Sequence, residues 1–168
     1  MAIIIIMIVE IQNSKDLIKF IQGRQLTYDE TKYINKYLDD CLSTNGYDQV
    51  SGIIKAFCTM PNDPNFLDFS SIRKYFEDRH DWQILQIMIE SCLTYNFELR
   101  EKLVEAFIVE CKACKQYSKA ISMVEAIGQT KFIFSSFSFQ ELASELVSTN
   151  NIEDLKKFLL AFAKNVKC

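Results

Sequence analysis

Residues 111–127 read CKACKQYSKAISMVEAI, and this stretch determines how the whole chain is interpreted. It has the pattern of a helix hairpin, in which one helix ends near Cys114 and the next begins at Tyr117. Apolar residues recur at the spacing of one helical face in both halves. The turn between the two helices is expected at Lys115 and Gln116.

The second helix of this hairpin has copies elsewhere in the chain. Similar patterns begin at Trp82, Tyr117 and Ile152, and both 117 minus 82 and 152 minus 117 equal 35. A fainter copy begins at Tyr47, again 35 residues before Trp82. A fixed period of about 20–50 residues is typical of stacked repeats.

The copies agree at the positions that a packed helix buries. Four positions, separated by the spacing of one helical face, are apolar in every copy. In chain order they are Val50, Leu85, Ala120 and Leu155; Ile53, Met88, Met123 and Phe158; Ile54, Ile89, Val124 and Leu159; and Phe57, Cys92, Ile127 and Phe162.

Residues 111–115, CKACK, followed by Ala120, resemble the middle of a pentatricopeptide repeat. That family often reads C-K-A-G-K before an alanine-bearing second helix, and its glycine is Cys114 here. The tetratricopeptide repeat, with a period of about 34 residues, is the related alternative. The resemblance implies a superhelical binding module, for RNA in the first family and for peptides in the second.

Capping and stop signals divide the chain into alternating helices and short connections. Predicted N-caps are Asn13 or Ser14, Thr27 in a capping box with Glu30, Asp81, Asn96, Ser138 in a second box with Glu141, and Asn151. Predicted helices cover residues 2–11, 14–22, 27–43, 48–58, 72–79, 82–93, 97–114, 117–127, 139–148 and 152–166. We therefore predict an all-α fold, an α-solenoid of about five antiparallel helix pairs with a 35-residue period.

Composition supports a single helical-repeat domain over residues 1–168. The apolar share is 49% and the charged share 24%, and the chain has only 4 Gly and 2 Pro. These values fit a globular helical protein and disfavour disordered linkers. The net charge of −3 weakens a nucleic-acid interpretation, because phosphate binding requires a basic face.

The N-terminus is strongly apolar, with Ile3, Ile4, Ile5 and Ile6 in succession. The run is too short for a membrane span, which needs about 20 apolar residues, so no membrane partner is expected. Terminal repeats normally carry a polar outer face. We expect these isoleucines to contact either a second copy, in a homodimer, or a missing preceding unit of a longer protein.

No catalytic, metal or cofactor site is predicted. His80 is the single histidine, and Cys111 and Cys114 have metal-like spacing without a second ligand pair. The six cysteines have no signal peptide before them, so thiols in a reducing intracellular compartment, cytoplasm or nucleus, are expected.

The segment 131–139, KFIFSSFSF, carries the candidate partner-binding residues Phe132, Phe134, Phe137 and Phe139. If the segment is extended, alternation places Phe132 and Phe134 on one side and Phe137 and Phe139 on the other. One pair would then pack inward while the other anchors a partner.

Three functions are consistent with these patterns. The first is a non-enzymatic scaffold or adaptor that binds a protein or peptide. The second is a pentatricopeptide-like module that binds single-stranded RNA, and the third is a catalytically silent domain of a larger enzyme.

Overall fold

The structure, a computed structural model, describes residues 13–164 except for the side chain of Ser138. The predicted helix near residues 2–11, the contact expected at Ile3–Ile6, and the predicted last turn at residues 165–166 lie outside this range.

Between residues 13 and 164 the chain forms nine α-helices, one short 3₁₀ helix and no strand, which confirms the all-α prediction. The α-helices are α1 Ser14–Ile21, α2 Tyr28–Ser43, α3 Tyr47–Cys58, α4 Phe69–Arg79, α5 Trp82–Thr94, α6 Glu101–Ala113, α7 Tyr117–Ile127, α8 Ser136–Ser148 and α9 Ile152–Ala163. The 3₁₀ helix is Pro64–Phe66.

The chain divides into two compact units. The first comprises Met1–Tyr75 and Glu90–Phe97, and the second comprises Phe76–Ile89 and Glu98–Cys168. Helices α4 and α5 each contribute residues to both units.

In the first unit, α1 and α2 both pack against α3. The apolar side chains that these helices bury include Leu17, Ile21, Ile34, Leu38, Val50, Ile53, Ile54 and Phe57. The predicted capping box is present at the start of α2, where Thr27 Oγ1 accepts from Glu30 N and Glu30 Oε2 accepts from Thr27 N. Arg24 also pairs with the buried Glu30 carboxylate, so this buried charge is compensated.

Asn62 secures the loop that follows α3. Its side chain is buried and accepts a hydrogen bond of 2.8 Å from Leu26 N, and it donates to the carbonyl oxygens of Arg24 and Phe57. A buried amide with these partners fixes the loop without an unsatisfied polar group.

In the second unit, each helix of one pair contacts the corresponding helix of the next. Helix α6 packs against α7 and α8, and α9 packs against α7 and α8. Polar contacts add to the apolar core: Tyr117 donates to Glu145 at 3.1 Å, and Lys112 pairs with Glu141. The predicted antiparallel partners, residues 97–114 and 117–127, are thus in contact, although the first helix begins at Glu101.

The turns inside the helix pairs have a common backbone conformation. Asn45, His80, Lys115 and Asn150 have φ values of 56°, 51°, 56° and 55°, and each is 35 residues from the next. A positive φ is unusual for residues other than glycine, and it typically marks the residue just after a helix. The turn predicted at Lys115-Gln116 is therefore present.

Three of these turns share a hydrogen bond from the residue after the positive-φ residue. Gly46 N donates to Cys41 O at 2.8 Å, Gln116 N to Cys111 O at 2.7 Å, and Asn151 N to Leu146 O at 2.8 Å. This is the six-to-one bond of a Schellman motif, which satisfies a carbonyl at the helix end.

Asn96 does not cap the following helix, contrary to the prediction. It has a φ of 57°, and Phe97 N donates to Cys92 O at 2.9 Å, so Asn96 terminates α5. The helix predicted to begin at Phe97 begins at Glu101, with Arg100 as its N-cap. Asparagine suits both positions, because its short side chain caps helices and tolerates a positive φ.

Helix α8 begins earlier than predicted. It starts at Ser136, so Ser138 and Phe139 lie inside it and the capping box expected at Ser138–Glu141 is wrong. Similarly, α4 starts at Phe69 rather than at the predicted residue 72, because Asp68 Oδ1 accepts from Ser70 N and supplies the cap.

Replacement by glycine should have opposite effects on stability at two lysines, one in the turn between α6 and α7 and one in α7. Lys115→Gly should raise the free energy of unfolding by up to about 1 kcal/mol, because glycine adopts a positive φ without the strain of a Cβ. Lys119→Gly, at an exposed position in α7, should lower it by about 1 kcal/mol. Urea unfolding measures both, and destabilisation by both variants would contradict the turn geometry.

Candidate protein-binding surface

The linker between α7 and α8, residues 128–135, is held at both ends. Near its start, Thr130 Oγ1 donates to Ile127 O at 2.6 Å and accepts from Phe132 N at 3.1 Å. Near its end, Ser135 Oγ donates to Glu105 Oε1 of α6 at 3.2 Å. These bonds restrict the backbone that carries the candidate phenylalanines.

Three of the four candidate phenylalanines join one aromatic cluster. Phe132 and Phe134 make an edge-to-face contact with ring centroids 5.1 Å apart, and Phe134 contacts Phe162 at 5.8 Å. Phe139 contacts Phe162 at 4.5 Å and stacks on Phe158 at 5.5 Å. Such contacts stabilise packing beyond the area they bury. We call these five residues the phenylalanine cluster.

The fourth candidate, Phe137, is 48% exposed. The alternation expected for an extended segment does not hold, because Phe137 and Phe139 lie in α8. Two residues along a helix rotate the side chain by roughly 200°, so one ring points away while the other packs inward. The expected pair 137/139 is therefore not a structural pair, whereas Phe132 and Phe134 do lie together.

A second exposed residue, Ile133, was missing from the prediction. It is 87% exposed and precedes Phe137 by four positions. The residues 35 positions earlier are Glu98 and Lys102, and both are exposed. Apolar residues thus stand where the preceding helix pair carries charges, and this comparison would have revealed Ile133 from the sequence. We call Ile133 and Phe137 the linker surface.

The last copy of the predicted buried face is only partly buried. Phe158 is buried, as expected, but Leu155 and Phe162 are half-buried and Leu159 is 44% exposed. The corresponding residues of the earlier copies, among them Ile54, Ile89 and Val124, are buried. The prediction that Leu159 belongs to the core is therefore wrong.

His80, Cys111 and Cys114 lie close to one another in the second unit. The His80 imidazole Nδ1 is 2.7 Å from Oε2 of the buried Glu110, and Cys114 Sγ donates to the His80 carbonyl oxygen at 3.5 Å. Burial, followed by the nearby Cys114 and Glu110, raises the pKa of the Cys111 thiol to about 12. These contacts tie the His80 turn to α6, and at neutral pH the Cys111 thiol is protonated.

The first unit contains an open pocket of about 250 Å³. Its lining combines aromatic side chains with the Asn62 amide, which already bonds three backbone groups. No unsatisfied polar group of Asn62 therefore points to a ligand there.

Residues 13–164 contain no cluster of three or more His, Cys, Asp and Glu side chains that could hold a metal ion. Within the same range, Cys41, Cys58, Cys92, Cys111 and Cys114 are free thiols. None of the helices in this part of the chain is both long and apolar enough to cross a bilayer. The chain matches no protein-family model, no curated protein and no solved structure.

The two phenylalanines of α8 should differ in their contribution to stability. Phe139→Ala should lower the free energy of unfolding by at least about 1 kcal/mol, because it removes contacts with Phe158 and Phe162. Phe137→Ala should change it by less than about 0.5 kcal/mol, because its ring is exposed. Thermal unfolding of both variants measures the difference, and equal losses would place Phe137 in the core.

Proposed function

We propose that the chain is a non-enzymatic helical-repeat module, an α-solenoid with a 35-residue period, that binds a protein partner as a scaffold or adaptor. The spacing of the four positive-φ turns supports the repeat, because the same backbone device recurs at the period read from the sequence. The packing of α6 on α8 and of α7 on α9 supports stacking of successive pairs.

The linker surface is the observation that carries the binding proposal. Ile133 and Phe137 are exposed, and they occupy positions where the preceding pair has Glu98 and Lys102. Burying an aliphatic or aromatic side chain of this size gains about 1.5–3 kcal/mol, so two of them can anchor a partner. Their sequence neighbours Phe132, Phe134 and Phe139 are held in the phenylalanine cluster, which restricts the backbone that carries the two side chains and lowers the entropic cost of binding.

A protein partner fits this surface better than RNA does. The linker surface consists of the aliphatic Ile133 and the aromatic Phe137, and the chain has a net charge of −3. RNA binding requires neutralisation of phosphates by basic residues, with a steep dependence on salt.

Affinity capture with quantitative mass spectrometry tests the proposal in cells that naturally contain the protein. The test variant is Ile133→Glu with Phe137→Lys, which restores the charge types of the preceding pair and should preserve the fold. A protein partner should be retained by the wild type and lost by this variant. Tyr28→Glu, at a 71% exposed residue of α2, is the matched control and should retain it.

The captured partner is then purified, and its affinity is measured by calorimetry. We expect the double variant to bind at least about tenfold more weakly, since hot-spot residues contribute roughly 2 kcal/mol or more each. An identical set of captured proteins for wild type and double variant would contradict the proposal. Salt-sensitive binding of the wild type to an unstructured oligouridine, with no protein captured, would favour the RNA alternative.

A further inference from the structure

Helix α9 presents apolar residues to solvent along one side. Ile152, Leu159 and Leu160 are 46%, 44% and 64% exposed. In the preceding pair the position of Leu159 is Val124, which is 1% exposed, and its helix α7 packs against α9. Leu159 is therefore exposed at a position that is buried in the preceding helix pair.

Leu160 is an apolar residue at a position that is exposed in every copy of the pattern. The residues at 35-residue intervals before it are Glu125, Glu90 and Lys55, and all three are exposed. Leucine thus replaces a charge at a position that is solvent-facing in each earlier copy. Replacement of charge by an apolar residue on an exposed face favours a contact surface.

The charges around Leu160 form a pattern that complements itself when reversed. The α9 residues Glu153, Lys157 and Leu160 and the C-cap Lys164 are spaced by four, three and four residues, so they lie along one stripe of the helix. The stripe begins with an acid and ends with a base. A second α9 running antiparallel would place its base beside the acid, whereas a parallel neighbour would place like charges together.

We propose that this stripe binds a second copy of the chain through an antiparallel α9–α9 contact. Glu153 then lies beside Lys164 of the partner subunit, and Leu160 packs on the methylene chain of Lys157 of the partner subunit. The contact is isologous, so each pair of residues occurs twice.

Existing contacts of α9 are compatible with this arrangement. Lys157 Nζ lies 3.6 Å from Asp154 Oδ1, which holds the lysine chain along the helix surface. Glu153 pairs with Lys156 at 3.3 Å, but both side chains are mostly exposed. Exposed ion pairs contribute little, so Glu153 exchanges partners at small cost.

Analytical ultracentrifugation of the full chain over a wide concentration range tests the contact. The wild type should show a reversible monomer–dimer equilibrium. Leu160→Glu, which installs the residue type of Glu125 and Glu90, should raise the dimer dissociation constant at least about tenfold. Tyr28→Glu, on α2, should leave the dissociation constant unchanged. Circular dichroism should show the same helical content for every variant as for the wild type.

A charge exchange tests the antiparallel geometry. Glu153→Lys and Lys164→Glu should each weaken the dimer, and the double variant should restore it toward the wild-type dissociation constant. A wild type that stays monomeric, a Leu160→Glu chain that dimerises normally, or a double variant without restoration would each overturn the proposal. The variant Ile133→Glu with Phe137→Lys should dimerise normally. Failure of partner binding at the linker surface is therefore distinguishable from failure of the α9–α9 contact. Loss of the dimer in that variant would also overturn the α9–α9 proposal.

Discussion

The left-handed turn that ends the first helix of each pair is the constraint on which the rest of this structure depends. A residue with positive φ reverses the chain, and in three turns the next amide bonds a carbonyl in the last turn of the helix just completed. Only two residues, Lys115 and Gln116, carry the chain from the α6 C-cap Cys114 to α7, so the two helices must pack side by side.

This constraint also sets the register of the surfaces described above. Because the turns at Lys115 and Asn150 have the same geometry, a residue of α8 or α9 can be compared with the one 35 positions earlier. Ile133, Phe137 and Leu160 differ from their counterparts Glu98, Lys102 and Glu125 by loss of charge. The polar contacts of Tyr117 with Glu145 and of Lys112 with Glu141 hold α8 against the preceding pair, which keeps these surfaces in place.

The helices were predictable from the sequence because apolar periodicity and local capping act over a few residues. The Thr27–Glu30 box and the Asn151 cap are examples that the structure confirms. Non-local contacts explain the failures. The phenylalanine cluster packs Phe139 against α9, and the helix that carries Phe139 already begins at Ser136, before the Ser138 box. The contact of His80 with Glu110 joins residues 30 positions apart, which no local pattern indicates.

The candidate surface was predictable in its location but not in its orientation. The density of phenylalanines in residues 131–139 identified the segment, whereas the choice between inward and outward rings depends on where α8 starts. The exposure of Leu159 likewise depends on whether another helix covers α9, which the pattern within one helix does not specify.

Backbone NMR of the full chain tests the central claim most directly. Chemical shifts and three-bond amide–α-proton couplings report φ at Asn45, His80, Lys115 and Asn150. The account predicts a positive φ at all four residues, each preceded by helical shifts and followed within two residues by helical shifts. Helical or extended values at two or more of them would contradict the recurrent turn and the 35-residue repeat that we propose from it.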